Sequence, residues 1–390
     1  QPRSRGLGDV YKRQVSEASR PIAQGLLPED NVIGWILQLI WIAFFFIFMF
    51  YGQRIQMRIM LKEIEGSLLR LKLMRDKGRE IAISTIKEIG KPKEDPAPRI
   101  DRFLEHVDIG PVSLDPVGII RRLEHIIDVR ELRFKDEVRI MAPEADETQM
   151  NNLTNVLEAA LALNQIYKSI RHYYLMGKKT LSIYIIMQLQ MILPLVMKEC
   201  EAFANALRAF TLGQPIGDGV GALVAAKLMH GRKKRRIAKD IVMSEVPIEG
   251  RTAYVIKAEG PGGNVGKPGE AVRRILEEKN GKISLVILID AAQKLEGERV
   301  GEVAEGIGVA IGGPGVEKYK VEEIAAKYKV PVSAILVKED IGDVVSTMRK
   351  EIFDAAEVAV ERIKGIIREK TREGDAVIIA GIGNTMGIGQ

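Results

Sequence analysis

The sequence predicts three parts: one N-terminal transmembrane helix, an all-α region, and an α/β C-terminal domain. The sheet of that domain is expected to be mostly parallel, with helices on both faces. Three observations carry this. Val32–Tyr51 is apolar throughout except for Gln38. Residues 99–200 repeat apolar side chains at the 3.6-residue period. After Asn205, β-branched runs alternate with amphipathic segments, the pattern of βα units.

The 390 residues are 46% hydrophobic and 28% charged, enough for two or three packed domains and too apolar for wholesale disorder. A net charge of +6 suits a membrane-facing or generally basic surface. No nucleic-acid partner is expected, because no aromatic residues interleave the basic runs. A single cysteine, Cys200, excludes an intramolecular disulfide and a cysteine-based zinc site. Abundant Lys, Glu and Ile would suit a thermophile.

Asp9–Gln14, "DVYKRQ", is the translation of a transposon-end adaptor used in sequencing libraries. Residues 1–14 are therefore read as an artefact and set aside. Residues 15–31 form an N-terminal tail. Val32–Tyr51 is long enough to cross a hydrocarbon core of about 30 Å as a helix. Glu29 and Asp30 precede it, whereas Arg54, Arg58 and Lys62 follow it. The positive flank places the N-terminus outside and the rest in the cytoplasm of a single-pass protein, with membrane lipid as a partner.

Residues 52–90 read as a juxtamembrane helix continuing the span. Ile55, Ile59, Ile64, Leu68, Leu71 and Met74 form a narrow apolar stripe, suited either to a dimerising coiled coil and homo-oligomer or to packing on the same chain. "KPKEDPAP", residues 91–98, is a linker. Residues 99–200 form the helical domain. Within it Leu181–Met197 carries Gln188, Gln190 and Pro194, which favours a bundle helix over a second span. His106, His125 and His172 have no partner at metal-ligand spacing.

Residues 201–390 form the α/β domain. "ALRAFTLG", ending at Gly213, is the expected first strand. Further strands are expected in "IVMSEVPI", "TAYVIKAE", "ISLVILID", "GIGVAIGG", "VPVSAILV" and "DAVIIAGIG". Helices are expected at "GEAVRRILEEKN" and "KVEEIAAKYK", and one long helix over Ile341–Lys370. "HGRKKRRIAK", residues 230–239, reads as a solvated helix end or as a contact with anionic lipid. "GPGGNVGKPGEA", residues 260–271, is not an ATP-binding loop. Its spacing is wrong, and Pro268 stands where Ser or Thr would hold Mg²⁺. "AGIGNTMGIGQ" at the end is either an anion cradle or a mobile tail.

Two acids stand out. Asp218 lies in the glycine-rich turn of "TLGQPIGDGVGALVAAKLM", expected to follow the first strand, and Asp290 closes the apolar strand "LVILID". Either acid could cap the helix that follows it. If instead they meet above the sheet, they share a proton, and one activates water while the other protonates the leaving group. Alternatively both bind a divalent metal whose water does the chemistry.

"LGQPIGDGVGALVAAKL" resembles the first motif of a superfamily of phosphorylase/hydrolase-like fold. It includes the hydrogenase-maturation endopeptidases, the spore germination protease and a related small sporulation protein. "ILIDAA" is similar to their second motif. The resemblance covers roughly residues 205–340. It implies a peptidase or hydrolase acting on a protein or peptide substrate, with Asp218 and Asp290 as catalytic carboxylates or metal ligands. No histidine follows His230, so a nickel site of the hydrogenase-maturation type lacks its third ligand. The whole layout resembles an uncharacterised archaeal membrane-protein family. A catalytically inactive scaffold or ligand sensor on the same fold is the alternative.

Overall fold

A computed structural model describes residues 32–112 and 118–390. The adaptor-like residues 1–14 and the tail 15–31 lie outside the described residues. The chain forms two compact units, residues 1–63 and 64–390. Helix α1, Val32–Gly90, begins in the first and ends in the second. From Trp35 to Met49 its side chains are exposed.

In the second unit α1 lies against two long helices, α4 (Glu147–Thr180) and α5 (Ile183–Leu212). Close approach explains Gly78 in α1: a Cβ there would press on Leu163 and Leu207. Of the apolar stripe, Ile64 and Leu71 are buried whereas Ile55 and Ile59 are exposed, so only its later part packs on its own chain, continued by the buried Ala82 and Ile86. The short α2 (Ala97–Phe103) and α3 (Ile119–Met141) complete the helical layer. Helix α4 starts from an Asp146 capping box, and α5 starts from a Ser182 cap.

Helix α5 corrects the expected first strand. "ALRAFTLG" is its last part, and Gly213 ends it in the left-handed conformation (φ 60°), donating to Ala209 and Phe210. Ala202, Ala206 and Ala209 are buried there, and small residues permit close helix packing. Propensity permits this: Ala, Leu and Arg favour helix, no β-branched run opposes them, and the stretch continues the turns before it. The helix passes through residue 200 unbroken, so the helical part extends to Gly213. Only 28% of the most apolar window of α5 is buried, although the helix is long and apolar enough to cross a membrane. Within Leu181–Met197 it packs in the bundle through one face, Ile186, Leu189, Leu193 and Met197, and leaves the other face exposed.

A seven-stranded sheet follows, ordered β1-β2-β3-β7-β4-β6-β5. The strands are β1 Lys234–Ala238, β2 Ile241–Ile248, β3 Arg251–Ala258, β4 Leu285–Gln293, β5 Val303–Ile307, β6 Val332–Glu339 and β7 Ala376–Gly381. β3, β7, β4 and β6 run parallel, whereas β1, β2 and β5 pair antiparallel. The sheet is thus mixed, not mostly parallel as expected. The reason is connection length: β1–β2 and β2–β3 are joined by turns too short for a parallel crossover. The basic run after His230 becomes the edge strand β1 rather than a helix end; its charged side chains suit an unpaired edge.

Helices cover both faces, as expected. α7 (Pro268–Glu278) and α8 (Val316–Tyr328) pack on one face, and α6 (Val220–Met229) and α10 (Lys350–Lys370) on the other. Leu285 through Ile289 are fully buried between these layers. Each such side chain contributes about 1.5–3 kcal/mol by leaving water. The expected helix over Ile341–Lys370 is broken into α9 (Ile341–Val345) and α10, because Thr347 leaves helical geometry to bridge Ile216. The strand expected in "GIGVAIGG" also moves: β5 ends at Ile307, and Gly308 turns away with φ 108°.

Candidate functional site

The four parallel strands end on one side of the molecule, where α/β sheets place their sites. Asp218 reaches this side on a 3₁₀ turn, Gly217–Gly219, between α5 and α6. Its neighbours are glycines for steric reasons. A Cβ on Gly217 would overlap the Glu339 carboxyl, and one on Gly219 would strike the Asn384 carbonyl. Gly221 presses α6 against the carbonyls of Ile289 and Ile382. The motif lets an acid-bearing turn settle onto the ends of β4 and β7.

Neither acid caps a helix. Asp218 Oδ2 accepts from the Asn384 amide at 2.7 Å. Asp290 lies within β4, which continues to Gln293 rather than closing at the acid. Its Oδ1 accepts from the Ala291 amide at 2.9 Å and its Oδ2 from Gly312 at 3.2 Å. Both line one cavity of about 400 Å³. Asp218 keeps a little surface toward it, yet enclosure by protein pushes its carboxyl above the usual carboxylate range. Asp290 is pushed up to about 7, first by burial and then by the charge of Asp218. A shared field of this kind separates the ionisation of two carboxyls.

Glu339, at the end of β6, joins them. It has no exposed surface, and among the described residues neither carboxyl oxygen has a hydrogen-bond partner. Burial, then Asp218, Asp343 and Asp290, push it up to about 8. The sequence carries its signal: "VPVSAILVKE" is an apolar strand ending in an acid, the same pattern that singles out Asp290. Also missing from the sequence reading is Asn384, whose amide holds Asp218 and whose side chain donates to Asn155 of α4 at 3.1 Å.

The cavity is walled by both parts of the second unit. Gly266–Pro268, Gly312–Gly315 and Gly383 come from the α/β part; Glu124, Asp128 and Glu131 come from α3. "GPGGNVGKPGEA" thus contributes wall, as its rejection as an ATP loop allows. Asn152 and Asn155 clamp it, accepting from the Gly263 amide at 2.9 Å and donating to the Gly263 carbonyl at 3.0 Å. The C-terminal segment is buried and hydrogen-bonded rather than a mobile tail: Thr385 and Met386 have no exposed surface. Its amides are engaged by Asp218, Asn264, Asn384 and Pro261, which removes the donors an anion cradle needs.

Among the described residues no three or more His, Cys, Asp or Glu side chains are placed to hold a metal ion. The arrangement therefore lacks the three-ligand set of a divalent-metal centre among the described residues. What it does offer is a partly enclosed pocket over carboxyls of unequal acidity.

Neither the curated proteins nor the solved structures compared with this chain match it. Two family models do match: the N-terminal domain of the protein of unknown function DUF1512 over residues 38–213, and the C-terminal DUF1512 domain over residues 216–389. Their border coincides with the end of α5 and the turn that carries Asp218. The chain belongs to this two-domain family, DUF1512.

Proposed function

We propose that the protein is a membrane-anchored hydrolase with a paired-aspartate site, facing the cytoplasm and acting on amide bonds of a protein or peptide. The observation that carries the chemistry is the meeting of Asp218 and Asp290 in the floor of one cavity, with neither spent on capping and both less acidic than a free carboxyl. In this reading the ionised partner takes a proton from water as the water oxygen bonds to the carbonyl carbon. The protonated partner gives its proton to the carbonyl oxygen. Collapse of the gem-diol breaks the C–N bond: the proton taken from water passes to the leaving nitrogen, and one hydroxyl returns its proton to the carboxylate that had protonated the carbonyl. The anchor rests on the apolar Val32–Tyr51 stretch, exposed from Trp35 to Met49, and its positive flank. The peptidase class rests on the two sequence motifs.

The test is peptide-library cleavage by the full chain in detergent, followed by mass spectrometry. Asp218→Asn and Asp290→Asn should each lower cleavage by about 10²-fold or more at unchanged thermal unfolding. Cleavage by either variant at the wild-type rate refutes the paired-acid mechanism. A second reading, a ligand sensor, is favoured by one feature: ion pairs from α3 cross the rim, as Lys267–Asp128 does at 2.6 Å. Ligand closure of that rim would survive both Asn substitutions.

A further inference from the structure

We infer that the α4–α5 hairpin rests on an anionic lipid surface through the outer stripe of α5 and the basic groove of α4. This rests on the reading of Val32–Tyr51 as a membrane anchor. Tyr184, Met187, Met191 and Leu195 recur at spacings of three and four, which puts them on one helix face. They are exposed, Met191 at 79% and Tyr184 at 68%. Exposed apolar stripes of this length in a monomeric surface mark an interaction site.

The neighbouring chemistry identifies the partner. A groove of about 700 Å³ opens beside the hairpin, lined by Arg75, Lys168, Arg171, His172 and Lys179. Among the described residues Glu105 is its only acid, and Lys168 pairs with it. Among the described residues no acid pairs with Arg171 or Lys179. An apolar stripe on one helix of the hairpin, with Arg171 and Lys179 free of acids on the other, fits acyl chains below and phosphate headgroups above. A second copy of the chain fits less well, because like charges would meet around a two-fold contact.

The location agrees. Gly78 of α1 faces Leu163 of α4, and Arg75 stacks on Tyr167 at 4.3 Å. The two helices therefore run antiparallel, and within the second unit Ile64–Met74 of α1 lie toward the α4–α5 turn. Only residues 52–63 separate Ile64 from the end of the apolar run at Tyr51. Complete crossing by α5 is disfavoured, since its partner α4 carries Lys168 and Arg171 alongside it. The hairpin is thus expected to lie on the bilayer without spanning it.

The natural chain makes the test clean. Cys200 is its only cysteine and is fully buried, with burial first and then Glu199 and Glu201 pushing the thiol up to about 12. An introduced surface cysteine is therefore labelled selectively. Full-length Met191→Cys, Phe45→Cys and Lys318→Cys, each carrying an environment-sensitive fluorophore, are reconstituted in phosphatidylcholine vesicles with and without phosphatidylglycerol. Nitroxide lipids serve as quenchers. We expect shallow nitroxides to quench position 191 by about twofold with phosphatidylglycerol, and less without it. Position 318, exposed on α8, should be unaffected, and deep nitroxides should quench position 45. Charge reversal by Arg171→Glu with Lys179→Glu should remove the phosphatidylglycerol dependence. Quenching at 45 but not at 191 overturns the hairpin contact and leaves the anchor standing. No quenching at 45 overturns the anchor and this inference with it. Disulfide capture of 191 to 191 between copies, with no lipid quenching, assigns the stripe to a second copy and overturns the lipid contact.

Discussion

Glu339 is buried with no hydrogen-bond partner among the described residues and beside three other carboxyls, which is costly in its charged form. The neutral form removes most of that cost, so the group holds its proton well above the ordinary carboxylate range. The same logic governs Asp290. In both cases the folded state binds a proton more tightly than the unfolded chain. The stabilising contribution of this cluster is therefore complete below about pH 4 and is lost as pH rises through about 7 to 8. We expect Glu339→Gln to flatten that decline, measured as unfolding free energy against pH, by an amount on the order of a few kcal/mol. Asp218→Asn should lower the titration midpoint of Asp290, because one of the two causes of its rise disappears. It should stay above a free carboxyl, because burial is the larger cause; carbon-detected NMR of the carboxyl reads this directly. A glycine gives the last test at this scale. Gly383 has φ 114°, and a Cβ there would overlap the Asp218 carbonyl. Gly383→Ala should destabilise the fold by roughly 1–3 kcal/mol in denaturant titration.

Among the elements, the C-terminal segment after β7 acts as a clasp over the Gly260–Gly266 loop. Thr385 Oγ1 donates to the Gly262 carbonyl at 2.9 Å, and the Thr385 amide donates to Asn264 at 2.9 Å. Thr385→Val should cost about 1–3 kcal/mol, since a buried carbonyl loses its donor. Hydrogen exchange should then show the loop opening before the sheet does. The clasp was illegible in the sequence because "AGIGNTMGIGQ" has no periodicity; its order comes from distant partners. The helix–strand alternation was legible, since β2 matches "IVMSEVPI" residue for residue. "ALRAFTLG" misled because a short apolar run does not reveal its own period. Only the preceding turns of α5 settle that it continues a helix.

On the scale of the whole molecule, α3 bridges the helical layer to the cavity rim through Lys267–Asp128 at 2.6 Å, Lys320–Glu124 at 2.6 Å and Lys239–Glu131 at 3.1 Å. Asp128→Lys alone should free α3, raising amide exchange over Ile119–Met141. Pairing it with Lys267→Asp should restore protection, because the swapped pair keeps its attraction. Failure of the double variant to recover would show that packing, not charge, holds α3. What the sequence determined by itself was local: the apolar run, the helical middle, the sheet covered on both faces, and two acids worth watching. Periodicity and turn residues encode such features within a few neighbours. Strand order, the antiparallel edges, the glycine crowding around Asp218 and the presence of Glu339 were decided only by tertiary structure. Each depends on contacts between residues far apart in the chain, and no local pattern records which distant strand end a side chain will meet.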